Sequence, residues 1–120
     1  MSRCNGFNEG AFDYYPWKGL CRFVDEHYSN HISLVEAAHI SGLDKTSFCT
    51  FFHESVGMKF TDWLRQVRIS KAIELMKTSD LSVREIAHEV GFVEMLTFER
   101  EFKKYTRLTP KEFKHSLRPD

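Results

Sequence analysis

The sequence has few residues of the kinds that hold small secreted or metal-bound domains together. Only three cysteines, Cys4, Cys21 and Cys49, occur among 120 residues. Their odd number and wide separation do not match the spacing of a disulfide scaffold or of a C-x-x-C metal site. No apolar run approaches the roughly 18 residues of a membrane span, and no signal peptide opens the chain. These absences predict a cytosolic protein, off the membrane, with neither cofactor nor metal.

Net charge is also lacking, because 17 basic and 17 acidic residues cancel. The distribution is nevertheless uneven: residues 1–64 hold 5 basic and 8 acidic side chains, whereas residues 65–120 hold 12 and 9. Between Arg100 and Arg118 there are seven basic residues and two acidic ones, a local charge of +5. A local basic patch attracts a phosphate backbone even when the whole chain is neutral, although a solvated basic tail is the alternative.

Signals for β-structure are missing, since no stretch sustains the alternation of apolar and polar residues that marks a strand. Helix starts are plentiful by contrast. Three segments carry a capping-box pattern, in which a hydroxyl residue is followed three positions later by glutamate: Ser33 with Glu36, Ser82 with Glu85, and Thr109 with Glu112. Asp44 resembles a fourth N-cap. We predict an all-α chain with seven helices, near residues 17–28, 33–40, 45–55, 60–78, 83–89, 94–105 and 110–117.

One short phrase occurs twice. Residues 33–43 read SLVEAAHISGL and residues 82–92 read SVREIAHEVGF, with the same residue at five of eleven positions. In each copy a capped helix with a small central residue, Ala38 or Ala87, is followed by glycine, an apolar residue and a second helix. Glycine adopts positive φ at a helix end without a Cβ penalty, and alanine allows close helix approach. The pattern predicts a helix-turn-helix, although a plain helical hairpin is the alternative.

The repeat extends beyond the turn and organises the chain. Phe48 and Phe52 match Phe98 and Phe102 at an offset of 50 residues. We therefore predict a leader or linker remnant over 1–15 and one double helix-turn-helix domain over 16–120. Its first unit covers about 17–57 and its second about 82–117, with a long linker helix over about 60–78. The apolar residues of this helix are expected to face first one small core and then the next: Phe60, Trp63, Leu64 and Val67, followed by Ile69, Ala72, Ile73 and Met76. A helix of 18 residues spans about 27 Å, close to the roughly 34 Å between successive major grooves.

The stretch from about Ile32 to Leu117 resembles the DNA-binding domain of the AraC/XylS family of bacterial transcription regulators. The segments that carry the resemblance are IAHEVGF, TFEREFKKY and LTPKEF, together with Arg68 and Ala72 of the linker helix. The resemblance implies seven helices, sequence-specific binding to promoter DNA, and activation of transcription through RNA polymerase. Many members carry a separate sensing or dimerisation domain, so the chain is expected to be a fragment of a larger regulator.

The resemblance also implies which side chains face DNA. In the first recognition helix these are Lys45, Thr46, Ser47, Cys49, Thr50 and His53, with Thr46, Cys49 and Thr50 nearest the base edges. In the second they are Met95, Leu96, Thr97, Arg100, Lys103 and Lys104, and Arg100 is the main candidate for guanine or phosphate. The apolar Met95 and Leu96 and the acidic Glu94 and Glu99 leave three roles open for this helix: base reading, docking by shape, or a polymerase contact.

Candidate phosphate anchors follow from charge and helix polarity. The N-termini at Ser82 and Thr109 present amides and a positive dipole end to an anion. The basic candidates are Arg65, Arg68 and Lys111, although Arg68 is equally well explained by a structural ion pair. One departure from the family stands at the end of the second recognition helix, where Arg107 replaces the usual glycine.

Two other classes of function compete with DNA binding. An enzyme is disfavoured because no nucleophile, base and orienting acid form a recognisable arrangement, and HEVGF lacks the second histidine of H-E-x-x-H. His27 and His31 have helical spacing for a metal, but no third ligand accompanies them. A helical protein-interaction module that kept the fold without DNA binding is the second alternative, and the zero net charge favours it.

Overall fold

The computed structural model describes residues 15–117, which form seven helices and no strand. The helices are α1 (Tyr15–His27), α2 (Leu34–Ile40), α3 (Lys45–Val56), α4 (Phe60–Thr78), α5 (Val83–Glu89), α6 (Met95–Thr106) and α7 (Pro110–Ser116). The all-α prediction is confirmed, and every predicted boundary lies within two residues of the observed one. The predicted leader lies outside the described residues, apart from Tyr15. None of the helices in residues 15–117 combines the length and apolarity that crossing a membrane requires.

The chain divides into two compact units, and the division falls inside α4, between Val67 and Arg68. The first half of α4 buries Phe60, Trp63, Leu64 and Val67 in the first unit. The second half buries Ile69, Ala72 and Met76. The long helix was predicted to serve two cores in this way, and only Ile73 is less buried than predicted.

The core of the first unit is aromatic. Trp17 lies among the rings of α3, with its centroid 5.8 Å from that of Phe48 and 5.2 Å from that of Phe52. Phe52 also contacts Trp63 of α4 edge-to-face at 5.7 Å. These side chains are fully buried. Rings of this size remove large apolar areas from water, and edge-to-face pairs add about 0.5–1.5 kcal/mol each. The cluster fixes α3 against α1 and α4.

The core of the second unit repeats that of the first with fewer rings. Phe98 and Phe102 of α6 have centroids 5.6 Å apart, the same separation as Phe48 and Phe52. Phe102 packs edge-to-face on Phe113 of α7 at 5.5 Å, as Phe52 packs on Trp63. The predicted offset of 50 residues is thus confirmed in three dimensions. Each unit uses the same ring pair to fix its second helix.

The doubled phrase folds into the same turn in both units. After α2 the N–H of Gly42 donates to His39 O and the N–H of Leu43 donates to Ala38 O, at 3.0 and 2.9 Å. After α5 the corresponding bonds run from Gly91 to His88 and from Phe92 to Ala87, at 3.1 and 3.0 Å. Both glycines have positive φ, 76° and 100°. This pair of bonds is the Schellman motif, which satisfies the last carbonyls of a helix and reverses the chain. The repeated residues therefore encode a turn.

The helix starts also follow the sequence prediction. Full capping boxes form at Ser82 with Glu85 and at Thr109 with Glu112. At Ser33 the hydroxyl accepts from the N–H of Glu36 at 3.0 Å, which is the hydroxyl half of the box. Asp44 caps α3 as predicted. Each capped start orients the helix that follows it, and α3 and α6 are the helices that the two turns present.

Candidate nucleic-acid interface

The exposed face of α3 is set by its cap and by its buried rings. Asp44 Oδ1 accepts from the N–H of Ser47 at 2.7 Å, which fixes the first turn. Because Phe48 and Phe52 are fully buried, the opposite side of the helix faces solvent. Five of the six side chains predicted to face DNA are exposed there: Lys45, Thr46, Ser47, Thr50 and His53. The sixth, Cys49, is a free thiol that lies half-buried against the first core.

The start of α3 carries a negative charge at neutral pH. The hydrogen bond from the backbone N–H of Ser47 lowers the pKa of Asp44 below its ordinary value of 3.8. The carboxylate is therefore ionised at neutral pH and already occupies the positive end of the helix dipole. This carboxylate repels other anions, so the start of α3 is a poor anion-binding site. The first turn of α3 is better suited to contacts through the neighbouring side chains Lys45 and Thr46.

The exposed face of α6 combines one aliphatic and several basic side chains. Leu96, Arg100 and Lys103 follow one another at four- and three-residue steps and so lie along one side of the helix. Phe98 and Phe102 are fully buried on the other side. Of the remaining predicted DNA contacts, Lys104 is exposed, whereas Met95 and Thr97 are half-buried.

Two polar side chains of α6 are partly engaged within the helix. The hydroxyl of Thr97 donates to Glu94 Oε1 at 3.3 Å. Arg100 Nε lies 3.8 Å from Glu101 Oε2, with 68% of the arginine side chain exposed and 15% of the glutamate. Because most of the arginine side chain is exposed, the guanidinium is accessible to other partners, and a contact as long as 3.8 Å constrains it little. Arg100 thus stays available for a guanine or a phosphate.

The turn that leads into α6 exposes apolar surface. Val93 is 98% exposed and Leu96 is 78% exposed, the highest values among the large hydrophobic side chains in residues 15–117. We call Val93 and Leu96 the apolar tip of α6. A groove beside it is lined by Arg84, His88 and Met95, among others. Val93 was not predicted as a surface residue, since a valine directly after the buried Phe92 has the pattern of a core position.

At the predicted phosphate anchors Ser82 and Thr109, two amides of each helix start are already bonded. In each capping box the hydroxyl accepts from the N3 amide while the N3 glutamate accepts from the N-cap amide. At α7 the N1 residue is Pro110, which has no N–H, so the amide of Lys111 is the one left at this end. Glu85 and Glu112 also place carboxylates beside these termini. Anion binding there depends on the basic side chains nearby.

The basic side chains predicted to contact phosphate differ in their exposure and in the groups that they already contact. Lys111 is exposed. Arg65 Nη1 lies 3.3 Å from Asp62 Oδ1, with both side chains about half exposed. Arg68 is half-buried and already interacts with another group, which fits the structural alternative. Lys114 Nζ donates to Leu81 O at 2.6 Å and so ties α7 to the loop before α5. Within residues 15–117, no three potential ligand side chains come together to hold a metal ion.

Comparison with known proteins places this geometry in a family. A family model described as a helix-turn-helix domain matches residues 37–116. The arabinose operon regulatory protein of Salmonella typhimurium is 28% identical over 98 residues, which are 81% of this chain and 35% of that protein. The C-terminal domain of the response regulator yesN from Fusobacterium nucleatum is 31% identical, with a TM-score of 0.71, over 79% of this chain and 93% of that one.

The chain belongs to the AraC-type helix-turn-helix family of transcription regulators. A further structural likeness, to the DNA-binding domain of the global transcriptional factor AdpA solved with a target DNA, has a TM-score of 0.80 at 23% identity. It covers 88% of this chain and 95% of that one, and shows that the fold is shared. The chain spans 35% of the length of the arabinose regulator, so the activity of such a longer protein is not carried over with the family.

Proposed function

We propose that this AraC-type chain binds a specific double-stranded promoter sequence, with α3 and α6 each placed in a major groove, and thereby regulates, and chiefly activates, transcription in bacteria. The observation that carries the proposal is the duplicated turn. Two Schellman turns with the same bonding present two helices, each fixed by a buried phenylalanine pair and each exposing an opposite face. In helix-turn-helix proteins the second helix enters the major groove and its N-terminal residues contact base edges.

The first unit reads bases mainly through neutral side chains. Thr46 and Thr50 are exposed four residues apart on α3 and so share a side. A threonine contacts the thymine methyl group or makes a single hydrogen bond, whereas it cannot clamp guanine as arginine does. Lys45 and His53 lie at the two ends of the same face and suit phosphate contacts. Ser47 completes the exposed turn, and Cys49 supplies packing beneath it.

The second unit supplies more of the charge. Arg100 is assigned to a guanine or a phosphate, with Lys103 and Lys104 behind it along α6. Met95, Leu96 and Thr97 form the turn that would enter the groove first. Lys111, Arg65 and the helix starts at Ser82 and Thr109 are assigned to the phosphate backbone, and Arg68 joins them if its present partner exchanges for phosphate. Phosphate contacts fix the orientation, while base contacts carry the sequence preference.

The larger context of the activity follows from the family. We assign the protein to the bacterial cytoplasm, at the nucleoid, where promoter DNA lies. RNA polymerase is the expected partner in activation. A sensing or dimerisation domain belongs to the longer regulator of which this chain would be a part, and no enzymatic activity is assigned to the domain.

Selection of bound duplexes from a random pool, followed by a salt titration on the selected sequence, tests the proposal. Two groove-sized conserved elements are expected in the selected duplexes. Affinity for them should fall steeply with salt, because each neutralised phosphate releases counterions and adds about 0.9 to the log–log slope. A scrambled duplex of the same length and composition is the control.

Either of two results would contradict the proposal. One is a pool with no enriched sequence, and the other is an affinity that hardly changes between low and high salt. A pool with no enriched sequence would favour the alternative of a helical protein-interaction module, for which the exposed Val93 and Leu96 offer an apolar contact surface.

A further inference from the structure

We infer that α6 recognises thymine through its C5-methyl group, which packs against Leu96 with Val93 beside it, so that the half-site of the second unit includes a T·A pair at the position of this contact. The inference rests on the proposed function, and names the base that the second unit selects. It gives the apolar tip a ligand of defined chemistry.

The apolar tip is unusual in how little of it is covered. Val93 and Leu96 are 98% and 78% exposed and lie three residues apart, whereas the next most exposed aliphatic side chain, Val35, is 62% exposed and stands on α2. Single exposed hydrophobic residues are normal, but adjacent ones on a small domain mark contact surfaces. Burial of these side chains against a partner is therefore favourable.

The position of the tip matches the place where bases are read. Leu96 is the second residue of α6, and Val93 stands in the turn just before it. The N-terminal residues of the second helix are those that reach base edges in a helix-turn-helix. Arg100 and Lys103 follow Leu96 along the same face, so basic side chains that suit flanking phosphates accompany the tip. These two basic side chains favour DNA over an apolar groove of a protein.

Few polar groups near the tip could select a base instead. Among residues 94–102 the one basic side chain is Arg100. The Thr97 hydroxyl is bonded to Glu94, and Glu99 carries a negative charge that phosphate repels. An aliphatic side chain distinguishes bases in the major groove by contact with the methyl group of thymine. Leu96 is therefore the residue we assign to this specificity.

Replacement of thymine by uracil measures the methyl contact directly. Uracil lacks the C5-methyl group but keeps the same pairing and the same O4 acceptor. With the full chain and a duplex selected by it, each thymine is changed to uracil in turn. Affinity should fall about fourfold at each thymine whose methyl is buried, the ratio that corresponds to burial of one such group.

Variants assign the effect to the tip. Leu96→Ser should bind the uracil and thymine duplexes equally at the affected position of the second half-site. Val35→Ser, which removes another exposed aliphatic side chain, should keep the difference. Thr50→Ser, in α3, should change the effect of uracil at thymines of the first half-site. It should not change the effect of uracil at the thymine assigned to Leu96. Because Leu96 is exposed, these variants are expected to fold as the parent does.

The outcomes separate the inference from the proposed function. If specific, salt-sensitive binding is retained but no thymine of the second half-site responds to uracil, the methyl contact is wrong while the proposed function stands. The methyl contact is also wrong if Leu96→Ser still binds the thymine duplex more tightly than the uracil duplex. It is wrong as well if Leu96→Ser loses only transcriptional activation, because the apolar tip would then contact a protein. If no specific duplex is selected at all, the proposed function itself fails.

Discussion

At the scale of single residues, the two helix-turn-helix units differ most clearly at one backbone position. Gly57 and Arg107 are the C-cap residues of α3 and α6, with φ of 92° and 71°. Their N–H groups donate to His53 and Lys103, four residues back, at 2.9 and 2.7 Å. The second unit therefore keeps the left-handed turn although a side chain is present. A non-glycine residue in this region is disfavoured by roughly 1–2 kcal/mol.

Arg107→Gly should relieve this strain. We expect the free energy of unfolding to rise by up to about 1 kcal/mol, since the greater flexibility of glycine in the unfolded chain offsets part of the gain. Urea denaturation of the variant and the parent measures the difference. Gly57→Ala is the matched control, and should lower stability by about 1 kcal/mol through the backbone alone, because an added Cβ meets no atom within 4 Å. A less stable Arg107→Gly variant would show that the guanidinium contributes more than the strain costs.

Arg100→Ala tests the role of the basic side chains on the exposed face of α6. If Arg100 reads a base, affinity for the selected duplex should fall by about 1–3 kcal/mol, with relaxed preference at one position. Lys104→Ala is the comparison, because loss of a phosphate contact should weaken all duplexes alike and reduce the salt slope by about 1. Titration of each variant against specific and scrambled duplexes distinguishes them. Unchanged specific binding by Arg100→Ala would remove the residue from the interface.

At the scale of helices and turns, the helix boundaries and the two turns could be predicted from the sequence because local interactions determine them. The caps, the positive-φ glycines and the three- and four-residue apolar spacing act within a few residues of chain, so they can be read without the tertiary structure. Exposure depends on contacts across a unit, and it was predicted less well. Cys49 lies half-buried against the first core although its helical position was predicted to be outward, and the exposure of Val93 was not predicted at all.

The capping box of α5 also predicts a dependence of stability on pH. The bond from the N–H of Ser82 lowers the pKa of Glu85 below its ordinary value of 4.5. A carboxyl whose pKa is lower in the folded state stabilises that state above the unfolded pKa, and the contribution is lost as pH falls through the folded value. Stability from this box should therefore be complete at neutral pH and decline below about pH 4.5.

Glu85→Gln should flatten that decline, because glutamine has no charge to lose. Urea denaturation at a series of pH values between neutral and acidic measures the slope. Glu89→Gln, at the other end of the same helix, is the matched control and should keep the acid-dependent loss of the parent. An equally steep decline in Glu85→Gln would show that other carboxylates govern acid unfolding of this unit.

At the scale of the whole molecule, the single helix α4 connects the two helix-turn-helix units. The 19 residues of α4 span roughly 28 Å, and the division between the units falls within the helix, not in a loop. Val67 belongs to the first core, whereas Ile69 and Ala72 are buried in the second unit. The division could be predicted from the switch in apolar face along the sequence. The direction of one reading helix relative to the other could not, since it depends on the whole length of α4.

An insertion in α4 should therefore change the spacing that the protein recognises without changing what each unit reads. Two alanines placed between Val67 and Arg68 leave both cores intact, because no buried residue of either unit is replaced. In a helix they rotate one unit by about 200° and shift it by about 3 Å relative to the other. Affinity for the original duplex should fall to the value expected when one unit binds its own sequence element and the other unit binds DNA nonspecifically. Repeated selection from a random pool should return the same two elements at a new separation, whereas unchanged affinity for the original duplex would mean that the units bind DNA independently and that α4 does not set the spacing.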